Sequence, residues 1–357
     1  MDETAPSPEF FNHLLNENQA IITLIGTSGS GKSEIAKKLV EAGNKKESFL
    51  NPLTGKKMII NFDASHIDLE ITRKLRPRII HDNLDFLSNR IGKEDLESLR
   101  QTLEKSSMNE EDSQDLNFVS FWMKTVMHCR KWYDYTAFYY NKAEEEATGS
   151  FNNSLEYGKN RVVDCTGSVF CVSDNTKKKL ANNSLIVYID ASDRAEELGK
   201  LIARDKKPIS LSDVADFSNF LKDLRSGKLP DVLNEIKSYN VNEKRLMELL
   251  EKEDLSSIIL ERKVKEVKDV EKILKEYSDC IYAIFGVYYA RVEIKKRDKM
   301  YREMKPVIMI KSHELYKMSA HEFMEFVFKK LQEIWKNEPD SGNRIPKPLP
   351  KRPDRVI

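Results

Sequence analysis

Gly26-Thr-Ser-Gly-Ser-Gly-Lys32-Ser33 is the stretch whose reading decides the fold. It fits the pattern G-x-x-x-x-G-K-[ST] without a mismatch, and its flanks supply the setting in which that pattern carries meaning. The apolar run Ile21-Ile22-Thr23-Leu24-Ile25 before it reads as a buried parallel strand, and Glu34–Glu41 after it reads as a helix. Strand, glycine-rich loop and helix in that order predict a phosphate-binding P-loop. The glycines allow the backbone to curl, so that amide groups along Gly26, Thr27, Ser28, Gly29, Ser30, Gly31, Lys32 and Ser33 face phosphate oxygens. The helix that follows adds the positive end of its dipole. Lys32 is the residue type that reaches the β- and γ-phosphates, and Ser33 the type that ligates Mg²⁺. The implied cofactors are ATP and Mg²⁺. A plain glycine turn before an ordinary helix is the weaker reading with both flanks in place.

The totals set outer bounds. A chain of 357 residues has room for two domains, or for one domain with large insertions. Hydrophobic residues make up 40% and charged residues 33%, enough for a real core under a very polar surface. The net charge of +1 argues against nucleic acid or a membrane as a partner of the whole molecule, though not against a local basic patch. Cys129, Cys165, Cys171 and Cys280 are scattered without C-x-x-C spacing, so they read as reduced thiols in a cytoplasmic protein with neither zinc nor disulfides. Residues 1–11 lack a basic start and an apolar run, which argues against a signal peptide. No stretch approaches the ~20 apolar residues of a membrane span.

Working outward from the loop, residues 1–18 read as an N-terminal extension and 19–208 as the first part of an α/β core with a helical insertion over about 80–135. Within that core, Gly43–Lys57 reads as a loop, Met58–Asp63 as a strand ending on a carboxylate, and Arg161–Cys165 and Ser184–Asp190 as further strands around a helix at Asp174–Ala181. The aromatic stretch Phe118–Tyr140 reads as helical core rather than a stacking surface for ligands. Residues 209–275 are dense in Lys, Glu and Asp and read as a charged helical lid insertion, a solvated arm that also offers a surface to a protein partner. The core resumes over 276–336, with Val292–Lys295 or Val307–Ile310 as its last strand. There Ser319-Ala-His-Glu322 is a capping box ahead of a terminal helix, Phe323–Trp335. A basic, Pro-rich tail follows over 337–357. Short apolar strands alternating with helices predict a three-layer α/β/α fold of P-loop NTPase type around a five-stranded parallel sheet. Ligands of such sheets bind at the carboxyl ends of the strands, where Asp63, Asp164 and the loop are expected to meet.

Several of these segments also resemble shikimate kinase. The chain has Val162-Val-Asp-Cys-Thr-Gly-Ser168, then a helix, then Leu185-Ile-Val-Tyr-Ile-Asp-Ala191, then Glu196-Glu-Leu and Ala203-Arg-Asp-Lys-Lys-Pro208. That succession is similar to the family's glycine-rich substrate turn, its V-V-Y-L-D-A strand and its basic segment at the edge of a lid. Phe62-Asp63-Ala-Ser65 resembles the substrate-binding F-x-D-x-D region, and Tyr288-Tyr289-Ala290 the tyrosine near the end of the lid. The resemblance implies ATP-dependent transfer of a phosphoryl group to a hydroxyl. It also implies substrate contacts from Asp63, Thr166, Gly167 and Ser168. The departures concern the acceptor: Ser65 replaces the second carboxylate, Thr166-Gly167-Ser168 the triple glycine, and Lys207 the arginine before the lid proline. Lysine does not reproduce the bidentate fork with which arginine clamps a carboxylate. A small hydroxylated substrate other than shikimate is therefore expected.

Phosphoryl transfer needs positioning and charge neutralisation above all. Ser33 and a carboxylate would hold the metal, and both Asp63 and Asp164 are candidates for that carboxylate. Asp63 takes the family's substrate position, which makes it the group to orient or deprotonate the acceptor, with Asp164 left for Mg²⁺ or a structural role. Arg204 matches the family's lid cation best, ahead of Lys206, Lys207, Arg225 and Arg291. A lone histidine such as His66 reads as structural or exposed. Two other functions compete: a nucleotide or polynucleotide kinase, and a nucleotide-binding regulatory protein with little turnover.

Overall fold

A computed structural model describes residues 20–67, 144–151, 160–205, 212, 214–252, 258, 261–262 and 267–337. The N-terminal extension, the aromatic stretch Phe118–Tyr140, Lys206, Lys207 and all but the first residue of the basic tail lie outside those residues. The described residues fall into two compact units. One comprises 20–67, 148–193 and 300–337, and the other 144–147 and 194–299. The division comes after Asp193 and after Lys299.

The first unit is built on a five-stranded sheet of order β4-β5-β1-β6-β7, with every pairing parallel. Its strands are β1 (Ile21–Gly26), β4 (Phe62–His66), β5 (Asn160–Asp164), β6 (Leu185–Asp190) and β7 (Ile308–Lys311). Central parallel strands are covered on both faces and so read as unbroken apolar runs. Leu185-Ile-Val-Tyr-Ile-Asp190 is buried at every residue. On one face Ile22, Leu24, Val187, Ile189 and Ile310 pack against α1 (Lys32–Asn44) and the C-terminal helix Ala320–Asn337. That helix opens with the expected capping box: Ser319 N–H donates to Glu322 Oε2 at 2.8 Å and Glu322 N–H to Ser319 Oγ at 3.2 Å. On the other face the ring of Tyr188 stacks on Tyr301 at 5.2 Å, and Phe170 meets Tyr301 edge-on at 5.3 Å.

Gly43–Lys57 is not merely a loop. Ser48–Leu50 forms β2 and pairs antiparallel with β3 (Lys57–Ile59), putting Phe49 and Met58 into the core. The expected strand Met58–Asp63 is therefore two strands. Ile60 N–H still donates to Glu47 O at 2.9 Å, while from Phe62 onward the chain pairs with β5. The strand does not end on Asp63 either, because Ala64, Ser65 and His66 continue the ladder opposite Val162, Val163 and Asp164.

The second unit is helical among its described residues. Its elements are α2 (Ala195–Asp205), α3 (Val214–Arg225), α4 (Pro230–Lys237), α5 (Glu243–Glu251) and α6 (Val267–Tyr288). Here Val292–Lys295 is helical, because α6 runs on through the π-turn Tyr289–Glu293 into Ile294–Glu303. The helix Ala195–Asp205 approaches α6 so closely that a Cβ on Gly199 would stand 2.5 Å from Gly286 O. The charged arm is more than a solvated face: Phe217 and Phe220 of α3 pack edge-on against Tyr288, with Phe217 also stacked on Phe285 at 4.9 Å. Val232, Ile236, Leu246 and Leu250 are buried as well. Among the described residues no helix is long and apolar enough to cross a membrane.

Candidate functional site

The loop between β1 and α1 lies at the carboxyl edge of the sheet, within the first unit. Its geometry follows from its glycines, since Gly26, Gly29 and Gly31 take φ of 149°, 80° and 106°, where a side chain is strained. At Gly26 space is as restrictive as torsion: a Cβ would stand 2.6 Å from Ile189 O and 2.9 Å from Ser30 Oγ. Two side chains grip the loop from behind. Ser312 Oγ donates to Ser30 O at 2.8 Å, and Tyr316 OH donates to Gly29 O at 3.2 Å. Both belong to the short helix Ser312–Lys317 that follows β7. A trans peptide sets its N–H opposite its C=O, so fixing Ser30 O toward that helix turns the Gly31 N–H the other way.

Lys32, buried, folds back across the loop, and its Nζ donates to Gly26 O at 2.8 Å and Thr27 O at 3.0 Å. The ammonium is thereby held over the curl of backbone. Thr27 Oγ1 and Ser30 Oγ are buried in the same loop without a hydrogen-bond partner among the described residues. Ser28 and Gly29 are exposed at its tip.

At the foot of the loop, Ser33 Oγ donates to Asp164 Oδ2 at 2.5 Å. Asp164 ends β5, next to β1, with Leu24 as its partner in register. The same Oδ2 has His66 Nδ1 at 3.2 Å, from the end of β4. Asp164 is buried, and its other oxygen, Oδ1, has no hydrogen-bond partner among the described residues. An orphaned, buried carboxylate oxygen beside a serine hydroxyl whose lone pairs stay available is a donor set that suits Mg²⁺ or a water of its shell. Among the described residues no group of three or more His, Cys, Asp or Glu converges as a metal site.

The other expected site residues fare differently. Asp63 is second in β4, opposite Arg161, which in turn pairs with the first residue of β1. It is exposed and three residues short of His66, or about 10 Å at the rise of a strand. Asp63 is therefore not among the groups that meet at the loop, and His66 stands where Asp63 was expected. Thr166, Gly167 and Ser168 follow Asp164 at the correct edge, where the two hydroxyl side chains bond each other and the turn's backbone, and Gly167 O meets Tyr301. Ser168 N–H donates to Thr166 Oγ1 at 3.1 Å, the two hydroxyls are 3.3 Å apart, and Tyr301 OH donates to Gly167 O at 2.6 Å. Both hydroxyl residues are buried. Arg204 belongs to the second unit, where its guanidinium pairs with Asp205 at 2.6 Å.

Sequence reading passed over Asp190, which ends β6. It accepts from Lys311 Nζ at 2.6 Å and from Ser192 N–H at 2.9 Å, tying together the carboxyl ends of β6 and β7. Burial works to raise its pKa, but the hydrogen bonds from Lys311 and Ser192 prevail and hold the carboxyl below its ordinary value. The sequence signal was present, an Asp at the end of a strand and a Lys at the end of the next. Compared with protein families, curated proteins and solved structures, the chain matches none.

Proposed function

We propose that this chain is an ATP-dependent phosphotransferase of shikimate kinase-like type, moving the γ-phosphoryl group to a hydroxyl of a small molecule other than shikimate. The observation that carries the reading is the convergence at one sheet edge of the Gly26–Ser33 loop, the folded-back Lys32 and the Ser33–Asp164 hydrogen bond. A second support is the sheet itself: its strands in chain order run 2-3-1-4-5, so the loop rises from the central strand and faces the edge where such sheets bind ligands.

In this reading the loop amides and Lys32 bind the β- and γ-phosphates, and Ser33 and Asp164 hold Mg²⁺. The metal, when bound, supplies positive charge to the transferred group and to the leaving phosphate. The acceptor oxygen forms a bond to the γ-phosphorus as the bond to the β,γ-bridging oxygen breaks, and ADP leaves with that electron pair. Lys32 stabilises the charge that shifts onto the bridging oxygen. The transition state is loose, so positioning outweighs base strength and the hydroxyl proton can leave late.

One observation favours the regulatory alternative. The hydroxyls of Thr166 and Ser168 are engaged inside their turn, and Asp63 lies at the far end of its strand. The test is ADP release by purified protein with Mg²⁺ and ATP against shikimate, polyols, hydroxy acids, nucleosides and 5′-hydroxyl oligonucleotides. Acceptor-dependent release, lowered by about 10²–10³-fold in Lys32→Ala, is expected. Tight ATP binding without acceptor-stimulated turnover would favour the regulatory reading. No ATP binding at all would overturn both.

A further inference from the structure

His66 is an unassigned member of the site. It is the last residue of β4, in register with Asp164. Asp164 is its hydrogen-bond partner among the described residues, through Nδ1 at 3.2 Å. An ionised carboxylate only accepts, so in this pairing Nδ1 carries the hydrogen. Core filling does not account for the side chain, which is 37% exposed.

The terminal torsion of an aspartate is soft and roughly two-fold. A single hydrogen bond, from Ser33, restrains one distance to Oδ2 and leaves a range of side-chain torsions, and so of carboxylate planes, that satisfy it. A second donor reaching the same oxygen from another element narrows that range, and with Oδ2 fixed the plane and Oδ1 are fixed as well. The three groups come from the start of α1, the end of β5 and the end of β4, so three separately anchored backbones define one carboxylate plane. The oxygen left over, Oδ1, is the buried one without a hydrogen-bond partner among the described residues.

We infer that His66 is a positioning residue. By holding Asp164 through Oδ2, it presents Oδ1 to the divalent cation that Ser33 would share. The inference rests on the phosphotransferase reading and concerns how the chain binds metal with nucleotide. Partners of this kind, one step removed from the ligand, typically change metal affinity about 10–100-fold when lost.

The experiment titrates Mg²⁺ into the full chain at a fixed, subsaturating concentration of a fluorescent ATP analogue, and measures the same nucleotide in EDTA. The variants are His66→Phe and His66→Ala, which lack the donor, and His66→Asn, whose amide nitrogen lies as many bonds from the backbone as Nδ1. Phe and Ala variants are expected to need about tenfold more Mg²⁺ for half-saturation, with metal-free nucleotide affinity unchanged and the Asn variant within about threefold of wild type. A wild-type Mg²⁺ requirement in His66→Ala would overturn the proposal. So would an equal loss in His66→Asn, or a loss of metal-free binding accompanied by a lower melting temperature. A wild-type chain whose nucleotide binding ignores Mg²⁺ would fail one stage earlier, removing the phosphotransferase reading and this role with it.

Discussion

Gly26 shows how little freedom the loop has. Its φ of 149° disfavours a side chain, and the nearest backbone atom to an added Cβ is Ile189 O at 2.6 Å, on the neighbouring strand β6. Gly26→Ala is therefore expected to lower stability by about 1–3 kcal/mol, since neither carbonyl nor strand can give way. The check is the denaturant midpoint, with Gly55→Ala as control: Gly55 has φ of 67° but nothing within 4 Å of an added Cβ. Gly26, Lys32 and Ser33 were legible in the sequence because a local pattern fixes them, and Asp164 because an apolar run ends on it. His66 was not legible. Whether β4 stops at Asp63 or runs to His66 is decided by pairing with Val162, Val163 and Asp164, and Asp164 lies 98 residues further along the chain.

The short helix Ser312–Lys317 has no periodicity long enough to read in the sequence, yet it is what holds the loop. Ser312 is buried and its bond to Ser30 O is the inner of the two grips, whereas Tyr316 is 42% exposed. Ser312→Ala leaves a carbonyl without its partner at a cost of about 1–3 kcal/mol. If part of that appears as loop disorder, nucleotide affinity should fall about tenfold, and by much less in Tyr316→Phe, as isothermal titration would show. Unchanged affinity in Ser312→Ala would mean that the glycines set the loop unaided. Extended segments were legible where they were long and apolar, as in β1 and β6. The hairpin of β2 and β3 was missed because three-residue strands carry almost no alternation. Val292–Lys295 failed for the same reason: four alternating residues say little when a long helix runs through them.

At the scale of the molecule, Asp190 links the first unit's fold to pH. Its carboxyl lies below the ordinary value in the folded protein, so its stabilising effect is complete above that value and disappears as acid protonates it. The stability gap between wild type and Asp190→Asn should be constant from about pH 7 to 5 and close below about pH 4, as denaturant midpoints across that range would show. A gap that persists into acid would mean packing, rather than the ion pair with Lys311, is what the substitution removes. The parallel α/β class and its five strands were legible because strands and helices alternate along the chain.

The strand order also sets a timetable for synthesis. β1 is made before both of the strands it pairs with, yet sits in the middle of the sheet, between Arg161–Asp164 on one side and Leu185–Ile189 on the other. The hydrogen bond from Ala20 N–H, just before β1, to Asn160 Oδ1 spans 140 residues. At about 5–20 residues per second, that strand waits on the order of ten seconds for a neighbour, apolar and unpaired. The glycine loop waits longer still. Ile189 must arrive to wall it in and Ser312 to grip it from behind, and Ser312 lies 282 residues after the carbonyl it holds. The loop is thus made before the residues that shape it, and becomes able to bind only after they arrive. A truncated nascent chain that ends before residue 312 would carry the whole motif without its grip.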